Sequence, residues 1–231
     1  MTMSSTANHT DPTRKLLLFD CDSTLSAIEG IDEMARLRDT GTFNRVQELT
    51  TQAMDGLVPV QKIFRQRLEL VRPTLAECDA IGQLYIENVE PFAKETITHL
   101  KQKGWTPIIV SAGFFPALKP LATYLGIGRI EAVQLDFDSD GNYLGCDEHF
   151  PSTRSRGKAE IVRKMKEESP PRHIVFVGDG ITDLETREEV DLFIGFGRYK
   201  KRPVVCEQAD FFITTLEELP KILSARFVET V

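Results

Sequence analysis

The chain has 231 residues, of which 41% are hydrophobic and 27% are charged, so most of it is expected to fold rather than to stay disordered. It contains no run of about 18 uncharged apolar residues, which excludes a membrane-spanning helix. The 28 basic and 35 acidic residues give a net charge of -7, which argues against a nucleic-acid partner.

Residues 1–14 are polar and lack the apolar stretch of a secretory signal, so we expect a disordered tail there. The apolar run Lys15–Phe19 follows and stops at Asp20, a pattern typical of a strand buried on both faces. From about Leu25 to Glu90, apolar residues recur at helical spacings of three and four. The sequence therefore predicts a helical-bundle cap, residues 27–90, inserted after the first strand. Its apolar positions include Phe43, Val46, Leu49, Ala53, Leu57, Val60, Ile63, Phe64, Leu68, Val71, Ile81, Leu84 and Tyr85.

Strands and helices alternate in the rest of the chain. The apolar run Thr106–Val110 ends at Ser111, and the run His173–Val177 ends at Gly178 and Asp179. This alternation predicts an α/β fold, a Rossmann-like parallel sheet with helices on both faces, formed by residues 15–26 and 91–231. The carboxyl ends of such strands converge, and ligands bind there. The other predicted strands are Leu192–Ile194 and Phe211–Ile213, and the predicted helices are Glu95–Lys103, Pro116–Leu125 and Lys158–Glu167.

A β-hairpin is predicted within Ala132–Phe150. Apolar and polar residues alternate from Val133 to Phe137, and Tyr143 continues the pattern after a turn sequence that contains Gly141. The four cysteines, in contrast, are far apart and form no Cys-x-x-Cys pair. We therefore expect neither a disulfide framework nor a structural zinc site. The same pattern favours a reducing, cytoplasmic location.

Two pairs of carboxylates follow predicted buried strands. Asp20 and Asp22 come directly after the first strand, and Asp179 and Asp183 lie in the glycine-containing segment after the run His173–Val177. Taken alone, the first pair is also compatible with a polar turn that caps a helix, and the second with a glycine-rich turn that has solvated acids. If the two strands are neighbours, the four acids form one site, whose oxygen ligands would suit Mg²⁺ together with a substrate phosphate.

Two further features are compatible with phosphate binding. Lys158 lies near the start of a predicted helix, where the helix dipole disfavours a cation unless an anion binds as well. Ser111-Ala112-Gly113 offers a hydroxyl and backbone N–H groups at the end of a strand. Taken alone, a solvated lysine and an ordinary strand-to-helix turn are the better explanations of these two features.

Arg67 interrupts an apolar stripe of the predicted bundle, four residues after Ile63 and three after Phe64. A guanidinium on the buried side of a helix needs a partner. That partner is either an acid such as Glu29 or the carboxylate of a ligand, which arginine binds through two parallel hydrogen bonds. The alternative is that the side chain extends to solvent.

Taken together, these motifs are similar to those of the haloacid dehalogenase superfamily of phosphatases, and within it they resemble the phosphoserine phosphatase family. The resemblance extends from about Lys15 to Leu219. The superfamily motifs are Asp20-x-Asp22-x-Thr24, Ser111, Lys158 and Gly178-Asp179-Gly180-x-x-Asp183, in this order. The narrower resemblance adds Glu29-Gly30-Ile31-Asp32-Glu33, Met54-x-Gly56, Arg67-Leu68 and Phe193-Ile194-Gly195-Phe196-Gly197.

The resemblance implies a Mg²⁺-dependent phosphatase that hydrolyses O-phosphoserine to serine and phosphate through an aspartyl-phosphate. Asp20 would be the nucleophile, and Asp22 would be the general acid and base. Asp20, Asp179 and the backbone carbonyl of Asp22 would hold Mg²⁺, and Asp183 would support its water shell. The phosphate would be bound by Ser111, Ala112, Gly113 and Lys158, and the rest of the substrate by Glu29, Met54, Gly56, Arg67 and Thr182. Ala112 stands where glycine is usual, and Val60 where an aromatic residue is usual.

Several alternatives stay open at this point. The substrate could be another small phosphomonoester, such as phosphohomoserine or a sugar phosphate, or the phosphoryl group could pass to an alcohol instead of water. A signalling receiver phosphorylated on Asp20 would also place acids and a lysine at strand ends. The inserted helices argue against a receiver, because a switch needs no lid that excludes water. A dead scaffold is disfavoured because every catalytic position holds a competent residue, and the oligomeric state stays unknown.

Overall fold

A computed structural model describes residues 13–55 and 57–228 of the protein. Of the predicted disordered tail, residues 1–12 lie outside the described residues. Arg14, near its end, donates a hydrogen bond to the carbonyl of Ser169 at 2.8 Å, and its own carbonyl accepts one from the amide of Arg172. Arg14 is therefore hydrogen-bonded to the rest of the protein, one residue before the first strand begins.

The eight strands of the described residues form two sheets. Six parallel strands make the main sheet in the order β3-β2-β1-β6-β7-β8, and β4 and β5 form a separate antiparallel pair. The α/β fold with a parallel sheet is thus confirmed. The strands are β1 (Lys15–Phe19), β2 (Trp105–Phe114), β3 (Arg129–Val133), β4 (Leu135–Phe137), β5 (Tyr143–Cys146), β6 (His173–Gly178), β7 (Leu192–Phe196) and β8 (Phe211–Ile213).

Helices connect the strands and cover both faces of the main sheet. They are α1 (Gly30–Arg36), α2 (Thr40–Met54), α3 (Val60–Val71), α4 (Leu75–Glu87), α5 (Ala93–Gln102), α6 (Phe115–Leu125), α7 (Gly157–Glu168), α8 (Ile181–Leu184), α9 (Pro203–Gln208) and α10 (Leu219–Arg226). Two apolar clusters lie on opposite sides of β1, because its successive side chains alternate between the faces. Leu17 and Phe19 belong to one cluster, and Leu16 and Leu18 to the other.

Helices α1–α4, called the insertion below, lie between β1 and α5 as predicted. The facing sides of α2 and α3 share a small apolar cluster of their own, made of Leu49, Ala53, Val60 and Ile63. Helix α4 instead packs closely on α6 of the core, where a Cβ atom on Gly82 would lie 2.6 Å from Pro120. Helix α4 thus packs the insertion on the core, and Phe64 and Leu68 of α3 join the large apolar cluster around β1. The predicted limits of the insertion, residues 27–90, stay a prediction.

The predicted hairpin is confirmed, but it is shorter than expected. Val133 belongs to β3, an edge strand of the main sheet, and only Leu135–Phe137 pairs with β5 across the turn at Gly141. The sequence analysis missed β3 as a sheet strand, because polar Arg129 and Glu131 alternate with apolar residues, as is usual where one face of an edge strand is open. The hairpin turn also contacts the insertion, since the amide of Leu75 donates to the carbonyl of Gly141 at 2.9 Å.

The cysteines Cys21, Cys78, Cys146 and Cys206 are all free thiols. Among the residues that the structure describes, no helix has both the length and the apolar character needed to cross a bilayer.

Candidate active site

The parallel register of β1 and β6 places two of the predicted acids side by side. Phe19 pairs with Val177, and the amide of Asp20 donates to the carbonyl of Val177 at 2.9 Å, so that Asp20 and Asp179 leave neighbouring strands at the same edge. Asp183 approaches from the start of α8. One carboxylate oxygen of each of these three buried acids lies within 4.8 Å of the others. The expected convergence of the strand ends is therefore confirmed.

Lys158 lies between two of these acids. Its Nζ atom is 2.7 Å from Oδ1 of Asp20 and 2.6 Å from Oδ1 of Asp183, and all three side chains are almost completely buried. Although burial opposes a charge here, the two carboxylates hold the pKa of Lys158 above its usual value. The unfavourable position at the start of α7 is thus offset by carboxylates of the protein itself, and not only by a bound anion.

The carboxylate cluster fits a divalent cation. Burial raises the pKa values of Asp179 and Asp183, and so does the negative charge of the acids next to them. Two cations contact the three acids. Lys158 contacts Asp20 and Asp183, and Nε of Arg202 donates to Oδ2 of Asp179 at 3.2 Å, so that one negative charge is left over. Buried oxygen donors with an excess of negative charge match the preference of hard cations for oxygen ligands.

The carboxylate of Asp22 lies apart from this cluster and turns towards the insertion. Its Oδ1 atom accepts hydrogen bonds from the amide of Gly30 at 2.9 Å and from the hydroxyl of Tyr85 at 2.5 Å. Burial raises the pKa of Asp22 to about 8, helped by the negative charges of Glu29 and Asp20. The raised pKa agrees with the expectation for a group that must hold a proton at neutral pH.

The sequence predicted that Ser111-Ala112-Gly113 follows the end of a strand. In the structure these three residues lie within the last residues of the strand instead. Strand β2 continues to Phe114, and its pairing with β3 shifts register between Val110 and Phe114. The amide of Gly113 donates to Oγ of Ser111 at 3.0 Å. The strand therefore continues beyond Val110, where the apolar pattern stops.

Two charged side chains reach the same cavity from the side of the insertion. Arg67 is 4% exposed, and its Nη1 donates to Oγ1 of Thr50 at 3.1 Å, which in turn donates to Asp32 at 2.7 Å. Within the described part of the chain, the buried Nε of Arg67 has no hydrogen-bond partner. Glu29 accepts a hydrogen bond from Oγ of Ser23 at 2.7 Å and not from Arg67. No ion pair joins Arg67 to Glu29 among the described residues, and the partner of Arg67 stays a prediction.

Most of the predicted site residues lie around one cavity, at the carboxyl edge of the sheet. Asp183 lies behind Lys158, outside the cavity lining. Gly56 lies outside the described residues, as does the side chain of Met54. The predicted residues that line the cavity are Asp20, Asp22, Glu29, Arg67, Ser111, Ala112, Gly113, Lys158, Asp179 and Thr182.

Comparisons with known proteins agree with this geometry. The family model described as haloacid dehalogenase-like hydrolase matches residues 14–191. The chain belongs to the haloacid dehalogenase-like hydrolases. The hydrolase is 35% identical to a phosphoserine phosphatase of Bos taurus over 87% of its own length and 89% of that protein's. It is also 35% identical to the chloroplastic phosphoserine phosphatase of Arabidopsis thaliana, over 87% and 69% of the two lengths.

A solved structure extends the likeness of this hydrolase to three dimensions. It is described as a phospho-aspartyl intermediate analogue of phosphoserine phosphatase and superposes with a TM-score of 0.77. The two chains are 29% identical, and the match covers 91% of the hydrolase and 99% of the solved chain.

Three side chains at the site of the hydrolase were not singled out from the sequence. Arg202 bridges Asp179 of the core and Asp55 at the end of α2, but it follows two other basic residues in a loop and nothing distinguishes it from them. Thr50 joins Arg67 to Asp32 and gave no signal. Tyr85 was assigned to an apolar stripe. A buried tyrosine hydroxyl needs a hydrogen-bond partner, and this requirement was the signal that pointed to a polar neighbour.

Proposed function

We propose that this hydrolase is a Mg²⁺-dependent phosphatase that hydrolyses O-phosphoserine to serine and phosphate through an aspartyl-phosphate on Asp20. One observation carries the proposal. Arg67 and Glu29 bring a guanidinium and a carboxyl group from the insertion to the cavity that also contains Asp20, Ser111 and Lys158. Burial raises the pKa of Glu29 to about 8, and the ammonium of a substrate would favour its ionised form. A phosphate ester of an amino acid has matching groups, namely a phosphate, a carboxylate and an ammonium. The phosphoserine phosphatases among its relatives and solved neighbours support the same substrate.

The orphaned Nε of Arg67 supports the assignment of the substrate carboxylate to this residue. A buried donor without a partner costs free energy that a ligand acceptor can recover. Arginine also binds a carboxylate through two parallel hydrogen bonds, which fixes the orientation of the ligand. Glu29, held by Ser23, would accept from the substrate ammonium. Thr182 lines the same cavity, and we assign it to the substrate as well.

In the first proposed step, a carboxylate oxygen of Asp20 attacks phosphorus and the P–O ester bond breaks. The bonding electrons go to the ester oxygen, which takes the proton of Asp22 and leaves as the serine hydroxyl. In the second step, Asp22 takes a proton from water, the water oxygen attacks phosphorus, and the bond to Asp20 breaks. Phosphate is released and both acids return to their starting states, so that one difficult hydrolysis becomes two easier steps.

The remaining residues would bind and neutralise charge. Ser111, Ala112, Gly113 and Lys158 would hold the phosphate oxygens through a hydroxyl, backbone N–H groups and an ammonium. Mg²⁺ would be held by Asp20, Asp179 and the backbone carbonyl of Asp22, with Asp183 behind them, and would add positive charge next to the phosphate. Phosphoryl transfer depends mainly on such positioning and charge neutralisation. The free thiols support a reducing, cytoplasmic location as part of the same proposal.

The test is a comparison of kcat/KM for O-phosphoserine with that for phosphohomoserine, a hexose phosphate and p-nitrophenyl phosphate, in the presence of Mg²⁺. We expect O-phosphoserine to exceed the hexose phosphate and p-nitrophenyl phosphate, which have no carboxylate, by at least about tenfold, the worth of one charge-assisted contact. Adding alcohols as acceptors measures transfer to groups other than water. A preference for a hexose phosphate would overturn the substrate, and the absence of repeated turnover would overturn the enzyme.

A further inference from the structure

The two oxygens of the Asp22 carboxylate have different surroundings. Oδ1 accepts two hydrogen bonds, from the amide of Gly30 at the start of α1 and from the hydroxyl of Tyr85 on α4. Oδ2 faces the phosphate-binding segment, since a Cβ atom placed on Gly113 would lie 3.5 Å from it and 3.2 Å from Oγ of Ser111. One oxygen is thus held by the insertion, and the other points to where the phosphate ester would bind.

The hydroxyl of Tyr85 is itself firmly placed. Tyr85 is 1% exposed, and its helix α4 lies against α6 because Gly82 has no side chain to separate α4 from Pro120. Gly30 leaves the space that the hydroxyl fills, since a Cβ atom there would lie 2.0 Å from the tyrosine oxygen. The tyrosine therefore reaches Asp22 from a helix that is packed against the core.

We propose that Tyr85 is a positioning residue for Asp22, which it holds so that Oδ2 exchanges the proton with the reacting oxygen. This inference rests on the proposed function, in which Asp22 is the general acid and base. Two donors on Oδ1 leave no room there for a third hydrogen atom, so the acidic proton resides on Oδ2. In the first step this proton passes to the ester oxygen as the P–O bond breaks and the bond from Asp20 to phosphorus forms.

Loss of the tyrosine hydroxyl leaves Oδ1 with a single donor, and the carboxyl group is then free to rotate. The proton is no longer held towards the ester oxygen. The penalty depends on the leaving group, because a good leaving group departs without a proton whereas a poor one does not. General acid catalysis typically contributes about 10²–10⁴-fold, and misplacing the acid should remove part of that factor.

The experiment compares phenyl phosphate with p-nitrophenyl phosphate, two substrates of similar shape. Phenol has a pKa of about 10, like a tyrosine side chain, and p-nitrophenol is a much stronger acid. We expect Tyr85→Phe to lower kcat/KM about tenfold or more for phenyl phosphate and for O-phosphoserine, and less than about threefold for p-nitrophenyl phosphate. The ratio kcat/KM reports the step in which the alcohol leaves, so the later hydrolysis does not mask the effect.

Tyr143→Phe is the matched control, because Tyr143 is also a buried tyrosine but packs under Arg72 at the hairpin. Tyr143→Phe should leave kcat/KM unchanged for both aryl phosphates. In an Asp22→Asn background, Tyr85→Phe should have no further effect on the ratio between the two aryl phosphates, since the group that it positions no longer carries the proton. Tyr85→Met, which fills the space without a donor, should repeat the result of Tyr85→Phe and serves if the latter fails to fold.

An equal loss on both aryl phosphates, or an undiminished effect in the Asp22→Asn background, would overturn the role of Tyr85 while leaving the phosphatase intact. A wild-type protein that hydrolyses aryl phosphates but not O-phosphoserine would overturn the proposed substrate, and the aryl comparison would still decide the role of Tyr85. A wild-type protein without turnover on any phosphomonoester would overturn both.

Discussion

The core side and the insertion side of the cavity differ in how their charges are satisfied. On the core side, Lys158 lies within 2.7 Å of Asp20 and Asp183, and Arg202 contacts Asp179, so that each cation already has carboxylate partners. On the insertion side, Arg67 makes a hydrogen bond to neutral Thr50 and keeps a buried Nε without a partner among the described residues. We infer that the core side is preorganised for one reaction, whereas the insertion side is completed by a particular substrate.

The sharpest test of the core side is Asp20→Asn. An amide is not a competent nucleophile, so turnover should fall by about 10⁴-fold or more, which corresponds to roughly 5 kcal/mol of barrier. The loss should be equal for every phosphate ester, because this side of the cavity serves them all. The measurement is phosphate release from several substrates by purified wild-type and variant protein, with thermal melting to check the fold. Near-wild-type release by the variant would contradict the assignment of Asp20.

Removal of divalent cations should also abolish turnover on all substrates, and Mg²⁺ should restore it. Ca²⁺ should inhibit, because it takes more ligands at longer distances than Mg²⁺ does. As a readout independent of activity, Mg²⁺ should raise the melting temperature, since a ligand bound by the folded state stabilises it. Asp179→Asn should diminish that increase, whereas Asp136→Asn, which alters an exposed acid on β4, should not. Full activity in excess chelator would be incompatible with the metal site.

On the insertion side, Arg67→Ala should change substrate preference. Loss of a charge-assisted contact costs roughly 1.5–3 kcal/mol, so kcat/KM for O-phosphoserine should fall about ten- to a hundredfold. The value for p-nitrophenyl phosphate, which has no carboxylate, should barely change. Arg67→Lys should rescue only in part, because an ammonium lacks the planar fork of a guanidinium. Arg65→Ala is the control, since this arginine lies on the same helix but is exposed.

Two results would contradict the role of Arg67 in substrate recognition. An equal loss on both substrates with an unchanged melting temperature would mean that Arg67 serves the chemistry itself. A lower melting temperature with unchanged preference would mean that Arg67 is a structural partner of Thr50 and Asp32.

The smallest expected effect concerns the stability of the insertion. Arg38 donates two hydrogen bonds to Glu77, at 2.6 and 2.7 Å, and together with the amide of Thr74 it lowers the pKa of Glu77 to about 2. A depressed carboxylate pKa stabilises the folded state above the unfolded value of about 4.3 and loses this effect as the pH falls towards 2. Both side chains are about a quarter exposed, and water screens the pair.

Glu77→Gln should therefore lower stability by only about 1 kcal/mol at neutral pH, or the melting temperature by about 2–4 °C. The difference from wild type should shrink as the pH falls from about 4.5 to about 2, and kcat should stay unchanged. Glu69→Gln, which removes an exposed partner of Arg72, is the control. A difference that persists at pH 2 would show that the ion pair is not its cause.

The sequence was most informative where side chains of one kind occur in runs. The strand Phe211–Ile213 has the predicted bounds, and the strand ends that carry Asp20 and Asp179 converge as expected, because buried parallel strands are apolar throughout and stop abruptly. Strand β3 was missed, since alternation on an edge strand resembles a hairpin arm. Partners that are distant in sequence were also beyond reach. Neither Thr50 beside Arg67 nor the hydroxyl of Tyr85 beside Asp22 follows from any local pattern.

The separate apolar cluster of α2 and α3 has a consequence for the evolution of substrate range. Leu49, Ala53, Val60 and Ile63 pack against one another and not into the two large clusters around the sheet. Substitutions in this cluster therefore change the packing between α2, which carries Thr50, and α3, which carries Arg67, while Phe64 and Leu68 of α3 keep their contacts in the large cluster around β1. A descendant protein can accept a different alcohol by altering this small cluster while it inherits the phosphate chemistry unchanged.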